Sequence, residues 1–284
     1  MEKIAILTDS TSDIPDELKI KEHIYLIPLY VNLNGKYYKD GVDISIDDVM
    51  DFNEKNQKNL AKSSAPSPGD FNEIIDRIRK DGYKKIIVIT VSNALSATHS
   101  IIKLRAEDDE DIHVVDSKSA SIMEALLVNY ADDLIKSGLD FDDICKKLDS
   151  LTDMKCTYIW IENLDSLKAG GRLSSTVSKA VGFLKIKPIL KIGSSGKIEL
   201  VKLRAKEENA IEQIVNKVKE ELGPSSQFYL GISYGGDLDM FRKLEGKASD
   251  LIEESINYLH NKIGSVIGVH SGPKAIALFY LKVK

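Results

Sequence analysis

Cysteine is nearly absent from this chain of 284 residues: there are two, Cys145 and Cys156. That is too few for a disulfide framework, so packing has to supply stability, and the reducing cytoplasm is the expected compartment. No apolar run approaches the roughly 18 residues needed to cross a bilayer. Residues 1–9 run straight into an apolar strand pattern without a basic segment or a small-residue cleavage site, so no export signal is expected. There is no stripe of Lys and Arg: the formal net charge is -5 and the two signs are interspersed, which excludes a nucleic-acid footprint. Internal repeats and low-complexity linkers are also missing. What is present is 43% hydrophobic and 29% charged residues, the composition of a globular protein long enough for two domains.

In the first half, short β-branched runs at 4–8, 86–91 and 113–116 alternate with longer segments of helical apolar spacing. That alternation predicts a parallel, Rossmann-like sheet with covering helices. Ile74, Ile75 and Ile78 share a helical face after the Pro68-Gly69-Asp70 start signal, and Ile122, Leu126 and Leu127 do so further on. Residues 24–33 read as one strand, Asn34-Gly35 as a tight turn and 36–39 as the returning strand of a projecting hairpin. Helices are expected over 119–137 and 141–150, a strand over 156–161, and a domain boundary near Thr152, giving domains 1–152 and 153–284 with a ligand pocket between them. The second half pairs 186–192 with 197–203 around a Ser194-Ser195-Gly196 turn, so its sheet is mixed or antiparallel. It continues with helix 205–222, strand 227–233, helix 237–244 and strand 275–283.

Four polar segments follow a strand or precede a helix: 8–13, 63–70, 92–96 and Asp116-Ser117. In an open parallel sheet such loops gather at the carboxyl ends of the strands, where ligands bind. Singly they serve as caps and turns. Together their hydroxyls and backbone N–H groups suit a cradle for a carboxylate or phosphate.

Two enzyme readings compete with simple binding. Gly231-Ile232-Ser233-Tyr234-Gly235 matches Gly-x-Ser-x-Gly, and Asp237 or Asp239 followed by His270 gives a serine hydrolase the right chain order. The helix start signal at Asp237 lies several residues past Ser233, whereas a nucleophile elbow needs a helix that begins at once. A phosphoryl-transfer enzyme would need a Walker segment, and Gly193-Ser194-Ser195-Gly196-Lys197 has the wrong spacing. No dinucleotide fingerprint occurs, and the five histidines show no ligand spacing with cysteine, so neither a cofactor nor a metal is expected. Trp160 and the Tyr37-Tyr38 pair read as core and hairpin packing.

A third reading comes from a resemblance. Asp9-Ser10-Thr11-Ser12-Asp13-Ile14-Pro15, Ser64-Ala65-Pro66-Ser67-Pro68-Gly69-Asp70-Phe71, Val115-Asp116-Ser117, Gly171-Arg172-Leu173-Ser174, Lys187-Pro188-Ile189-Leu190 and Gly268-Val269-His270-Ser271-Gly272-Pro273 resemble the successive signatures of the DegV family, in family order and over nearly the whole chain. The resemblance implies a two-domain α/β fold around one long-chain fatty acid such as palmitate, without a catalytic apparatus. It also implies the lipid-presenting subunit of a bacterial fatty acid kinase as a role, with the kinase's catalytic subunit as partner and transient membrane contact. By position it assigns Ser63, Ser96 and His270 to the carboxylate, and Ser64, Ser271, Arg172 and Lys274 to the neighbourhood of the head group. Arg204 is assigned to the kinase-facing surface. Ala97, His99 and Lys274 depart from the family's usual Gly, Tyr and Gly, which leaves the preferred acyl chain open.

Overall fold

A computed structural model describes residues 3–57, 59–162, 164–173, 177 and 187–284. The first strand, β1 (Ile4–Asp9), is buried along its whole length. It runs parallel to β2 (Ile24–Ile27) on one side and to β6 (Lys85–Thr90) on the other, with β7 (Ile112–Asp116) outermost. Alternate residues feed opposite faces. Ala5 and Leu7 pack under α3 (Pro68–Lys80) and α4 (Thr98–Arg105), while Ile4 and Ile6 meet α5 (Ile122–Lys136) and α6 (Phe141–Asp149). The Ser67-Pro68-Gly69-Asp70 signal forms a complete capping box at the start of α3.

A second, three-stranded antiparallel sheet has the order β4-β3-β5, built from β3 (Tyr30–Leu33), β4 (Lys36–Lys39) and β5 (Lys62–Ser64). The stretch 24–33 is therefore two strands in two sheets. Pro28 lacks the N–H that a continuous ladder requires, and the next amide, Leu29 N, bonds to Ser10 Oγ at 3.0 Å instead. The short α1 (Asp16–Lys19) leads into β2, and α2 (Ile46–Lys55) packs on the hairpin side.

The remaining strands form one mixed sheet of order β10-β9-β8-β13-β11-β12. They are β8 (Lys155–Trp160), β9 (Ile189–Ile192), β10 (Ile198–Lys202), β11 (Phe228–Tyr234), β12 (Tyr258–Lys262) and β13 (Ile276–Lys282), antiparallel except for the β11–β12 pair. Beside them stand α7 (Asp165–Ala169), α8 (Glu207–Leu222), α9 (Leu238–Lys247), α10 (Ser249–Glu254) and α11 (Ser265–Ser271). One face, with Trp160 and Tyr158, is covered by α8 and α9. The other meets α5. That helix is buried without a break from Ile122 to Asp132, the polar Glu124, Asn129 and Asp132 included, and its cluster includes Ile6 and Ile89 of the parallel sheet together with Tyr229 and Phe279 of the mixed one.

One expectation shifts, and two elements are additional. The helix expected from residue 119 starts at Ile122, because Ser121 takes φ of 60° and donates its N–H to Thr11 O at 2.8 Å. Strand β12 and helix α11 were not foreseen, since both stretches are short and glycine interrupts the periodicity at 264 and 268. Part of the strand expected over 186–192, at Ile186, lies outside the described residues, as does Ser174.

Candidate functional site

The apolar face of the mixed sheet that α5 leaves uncovered forms the floor of a cavity whose empty space, with the open mouth included, is about 880 Å³. The register lays two cross-strand rows along this floor. Ile198, Ile192, Thr157 and Phe279 are successive partners in one, and Leu190, Ile159, Ala277 and Ser233 in the other. Strands stand about 4.8 Å apart, so a row of four spans roughly 14 Å. Val91 and Leu95 after β6, Ala120 and Ser121 before α5, and Val266 and Ile267 of α11 form the roof. The lining is thus mostly aliphatic.

One end is polar and partly exposed. Ser63 Oγ lies 2.8 Å from His270 Nε2, with Ser63 on the edge strand β5 opposite Val31 and His270 in the last turn of α11. Ser96, Ser271 and Arg172 line the same cavity. Ser96 Oγ contacts Thr98 Oγ1 at 2.9 Å, Ser271 Oγ donates to Ile267 O at 2.9 Å, and Arg172 Nε donates to Leu95 O at 3.0 Å, tying the segment after α7 to the loop after β6.

The imidazole of His270 is neutral. Burial, with the Arg172 guanidinium adding to it, pulls the ring down to about 4. Its Nδ1 is buried and has no hydrogen-bond partner among the described residues. A buried N–H without an acceptor is costlier than a lone pair without a donor, so the proton belongs on Nε2 and is donated to Ser63 Oγ. The Ser63 hydroxyl then keeps its own proton for an acceptor in the cavity. Gly170 makes this possible, since a Cβ there would stand 2.3 Å from Nδ1.

Because the fold holds this ring below its ordinary value, the stability it contributes is intact above about 6.5 and is lost as the pH falls from there toward about 4. Urea titrations of the lipid-free protein are therefore expected to show an acid-side loss of stability that the His270→Gln protein lacks. Parallel pH profiles for the two would rule out the neutral-ring assignment.

Not every residue named from sequence reaches the cavity. Ser64 follows Ser63 on the same strand and so faces the other way, and it is not among the lining residues. Lys274 corrects an expectation more firmly: it sits on the exposed turn before β13, half-buried at most, with Nζ 3.2 Å from Glu162 Oε1. Arg204 is exposed in the loop after β10. The segment 8–13 does not form an anion cradle either. Thr11 lines the cavity, but the local donors there are already taken by the buried carboxyl groups of Asp9 and Asp13: Thr11 N and Val91 N bond to Asp9, and Gly264 N and Ser121 Oγ to Asp13. These groups lie at the far end: Gly264 N, at the start of α11, donates to Asp13 Oδ1 at 2.7 Å, and His270 is six residues further, about 9 Å along the helix.

Sequence reasoning also missed Ser121 and Thr157, two further hydroxyls in the wall. An isolated Ser or Thr beside a strand carries no signal of which cavity it will face. Ser233 does line the cavity, yet it lies within β11, paired on both sides with Asn261 and Ala277. Asp237 caps α9 through Met240 N at 3.0 Å, and His270 Nε2 is engaged by Ser63. The hydrolase motif thus has neither an elbow nor a base at its serine.

Comparison with known proteins adds to this geometry. A family model described as an uncharacterised protein of the DegV family matches residues 3–283. A DegV domain-containing protein of Clostridium acetobutylicum is 32% identical over 287 residues, spanning 99% of this chain and 100% of the relative. Among solved structures, a DegV family protein of Thermus thermophilus, described by its fatty acid binding, superposes with a TM-score of 0.89 at 26% identity over 99% of each chain. A stearic acid-binding protein of Eubacterium ventriosum gives a TM-score of 0.85 at 27% identity over 100% of this chain and 99% of that one.

Proposed function

The chain belongs to the DegV family, and on that footing we propose that it is a carrier of one long-chain fatty acid. The observation that carries this reading is the union of a mostly aliphatic cavity between the mixed sheet, the head of α5 and α11 with a hydroxyl-bearing end at its partly exposed mouth. Ser63 donates to the carboxylate, oriented by His270, and Ser96 supplies a second hydroxyl. Arg172 and Ser271 stand beside them. The tail lies along the Ile159, Ala277 and Phe279 floor between an N-terminal lobe, 1–152, and a C-terminal lobe, 153–284. Each buried methylene contributes about 0.8 kcal/mol, so a tail of about 15 carbons supplies on the order of 10 kcal/mol before the costs of binding. The head contacts then need only keep the carboxylate from being stranded in a dry site.

The finer reading is that the protein does no chemistry itself and presents the carboxyl end to the catalytic subunit of a fatty acid kinase. Support comes from the exposure gradient: Ser63, Ser96 and His270 are partly exposed, whereas Thr157, Ala277 and Phe279 at the tail are buried. Arg204, in an exposed loop, serves the partner-facing surface in this reading. Among the described residues no helix is long and apolar enough to cross a membrane, and the free cysteines Cys145 and Cys156 are both buried, which fits a cytoplasmic carrier that meets membranes transiently.

Organic extraction of protein purified from a bacterial host, followed by mass spectrometry, is expected to yield one fatty acid per chain. The Ser63→Ala, Ser96→Ala double variant should yield markedly less while remaining folded. Added palmitate at a hundred times its dissociation constant should stabilise the stripped protein by about 2.7 kcal/mol. A lipid-free extract combined with no thermal shift would sink the carrier reading, and undiminished lipid in the double variant would remove the two serines from the site.

A further inference from the structure

Behind the far wall of the cavity lie four carboxyl groups, Asp9, Asp13, Asp40 and Glu124, all buried. Thr11 Oγ1 stands 2.5 Å from Asp9 Oδ1 and 2.9 Å from Glu124 Oε1. A hydroxyl has one proton, so it can donate to only one of two carboxyl oxygens. Asp9 is the group arranged as an anion: Oδ1 also accepts Thr11 N at 2.9 Å and Oδ2 accepts Val91 N at 2.9 Å. Thr11 therefore gives its proton to Asp9, and Glu124 can satisfy its own 2.9 Å contact only by donating.

We infer that Glu124 is a carboxylic acid in the native fold and that its proton, donated to Thr11, holds the far wall of the acyl cavity shut. This rests on the carrier reading above for its consequence, though not for the proton. Three observations agree. Glu124 Oε2 is buried and has no partner among the described residues, a condition that a neutral acid tolerates far better than a carboxylate. The ionisable groups that act on it, Asp9, Asp13 and Asp116, are all carboxyl groups, so none offers it a positive charge. Burial and these neighbours hold Glu124 well above the usual carboxyl range, whereas burial raises Asp9 only to about 6 because the hydrogen bonds from Thr11 and Val91 oppose it.

The cations nearby are committed elsewhere. Lys118 Nζ pairs with Asp116 at 2.8 Å, Lys19 acts on Asp13, and Lys21 and His23 bind Asp132 two turns further along α5. Asp40 adds its charge to Asp9 and Asp13. From the mixed sheet, Tyr229 spends its hydroxyl on Asp133 at 2.8 Å, and Ala277 and Phe279 are apolar.

The mechanical link is short. Thr11 and Ser121 both line the cavity, Ser121 N donates to Thr11 O at 2.8 Å, Ser121 Oγ donates to Asp13 Oδ2 at 2.5 Å, and Glu124 stands in the first turn of α5. The Glu124–Thr11 bond thus fastens the head of α5 to the loop after β1. Its ionisation places a second negative charge beside Asp9 and removes the only donor in that contact. Glu124 acts here as a positioning residue: it does not touch the lipid.

The first test is infrared spectroscopy of the wild-type and Glu124→Gln proteins at neutral pH. A protonated-carboxyl C=O band is expected in the wild type and a clear drop in its intensity in the variant, the remainder coming from Asp13, which burial pushes up to about 8; superimposable spectra overturn the inference. The second is the release of labelled palmitate into excess phosphatidylcholine vesicles. Release from the wild type should accelerate about tenfold from neutral to alkaline pH, the equivalent of one lost hydrogen bond. Glu124→Gln, which keeps a donor and cannot ionise, should stay slow throughout. An alkaline acceleration equal to that of the wild type also overturns the inference. If Glu124→Gln does not fold, Thr11→Val decides, since loss of the acceptor must move the Glu124 band to higher frequency, and an unmoved band refutes the bond. Failure of every protein to load palmitate defeats the carrier reading alone, because the infrared band is read without lipid.

Discussion

An Ala277→Trp protein is expected to fold and to carry no fatty acid. Ala277 lies in the middle of the cavity floor, between Ile159 and Ser233 on neighbouring strands, and is 5% exposed. Its side chain lines the space that the tail needs, so an indole there occupies the lumen. Excluding about six methylenes forfeits about 5 kcal/mol, more than a thousandfold in affinity. Mass spectrometry of the extract reads the loss, and circular dichroism with a melting curve of the stripped protein shows that the fold persists. Wild-type lipid content in the Trp variant would mean that the acid is held somewhere else.

The second large effect is on stability. Gly235 follows β11, and a Cβ at that position would lie 2.1 Å from Pro273 O and 2.6 Å from Pro273 C. Both obstacles are backbone, and both are pinned: Gly235 N donates to Ala275 O at 2.8 Å and Gly236 N to Pro273 O at 2.6 Å. Gly235→Ala must therefore push apart the ends of β11 and β13, at a cost of about 3 kcal/mol, read as a lower urea midpoint with an unchanged slope. The segment it displaces connects His270 to the sheet, so lipid retention should fall with it. Gly236→Ala is the matched control, because a Cβ there clears Pro273 O at 3.7 Å. Equal losses in the two variants would show that backbone overlap is not the cause.

Much of the architecture could be read before any coordinates. Ile4 to Thr8 announced a buried parallel strand because an uninterrupted β-branched run leaves no polar face for solvent, and the Ser67–Asp70 box announced α3 because capping chemistry is local. The stretch 24–33 misled for the opposite reason. Its apolar content is continuous, but Pro28 removes one ladder donor and the chain changes sheets there. The assignment of Ser63 and His270 to one place came from resemblance, not from any pattern in the residues, and their separation of 207 in sequence explains why no local pattern could supply it.

What the amino-acid order settled by itself is whatever depends on near neighbours: the alternation of strand and helix, the helix starts, the parallel and mixed character of the two larger sheets, and the string of short signatures that places the chain in its family. Only the tertiary structure decided which hydroxyls face a common cavity, that Lys274 spends its charge on Glu162, and that His270 is neutral. The division has a physical basis. Backbone preference and apolar periodicity act over a few residues, whereas the loss of water around a group, and the partner that replaces it, come from segments a hundred or more positions away.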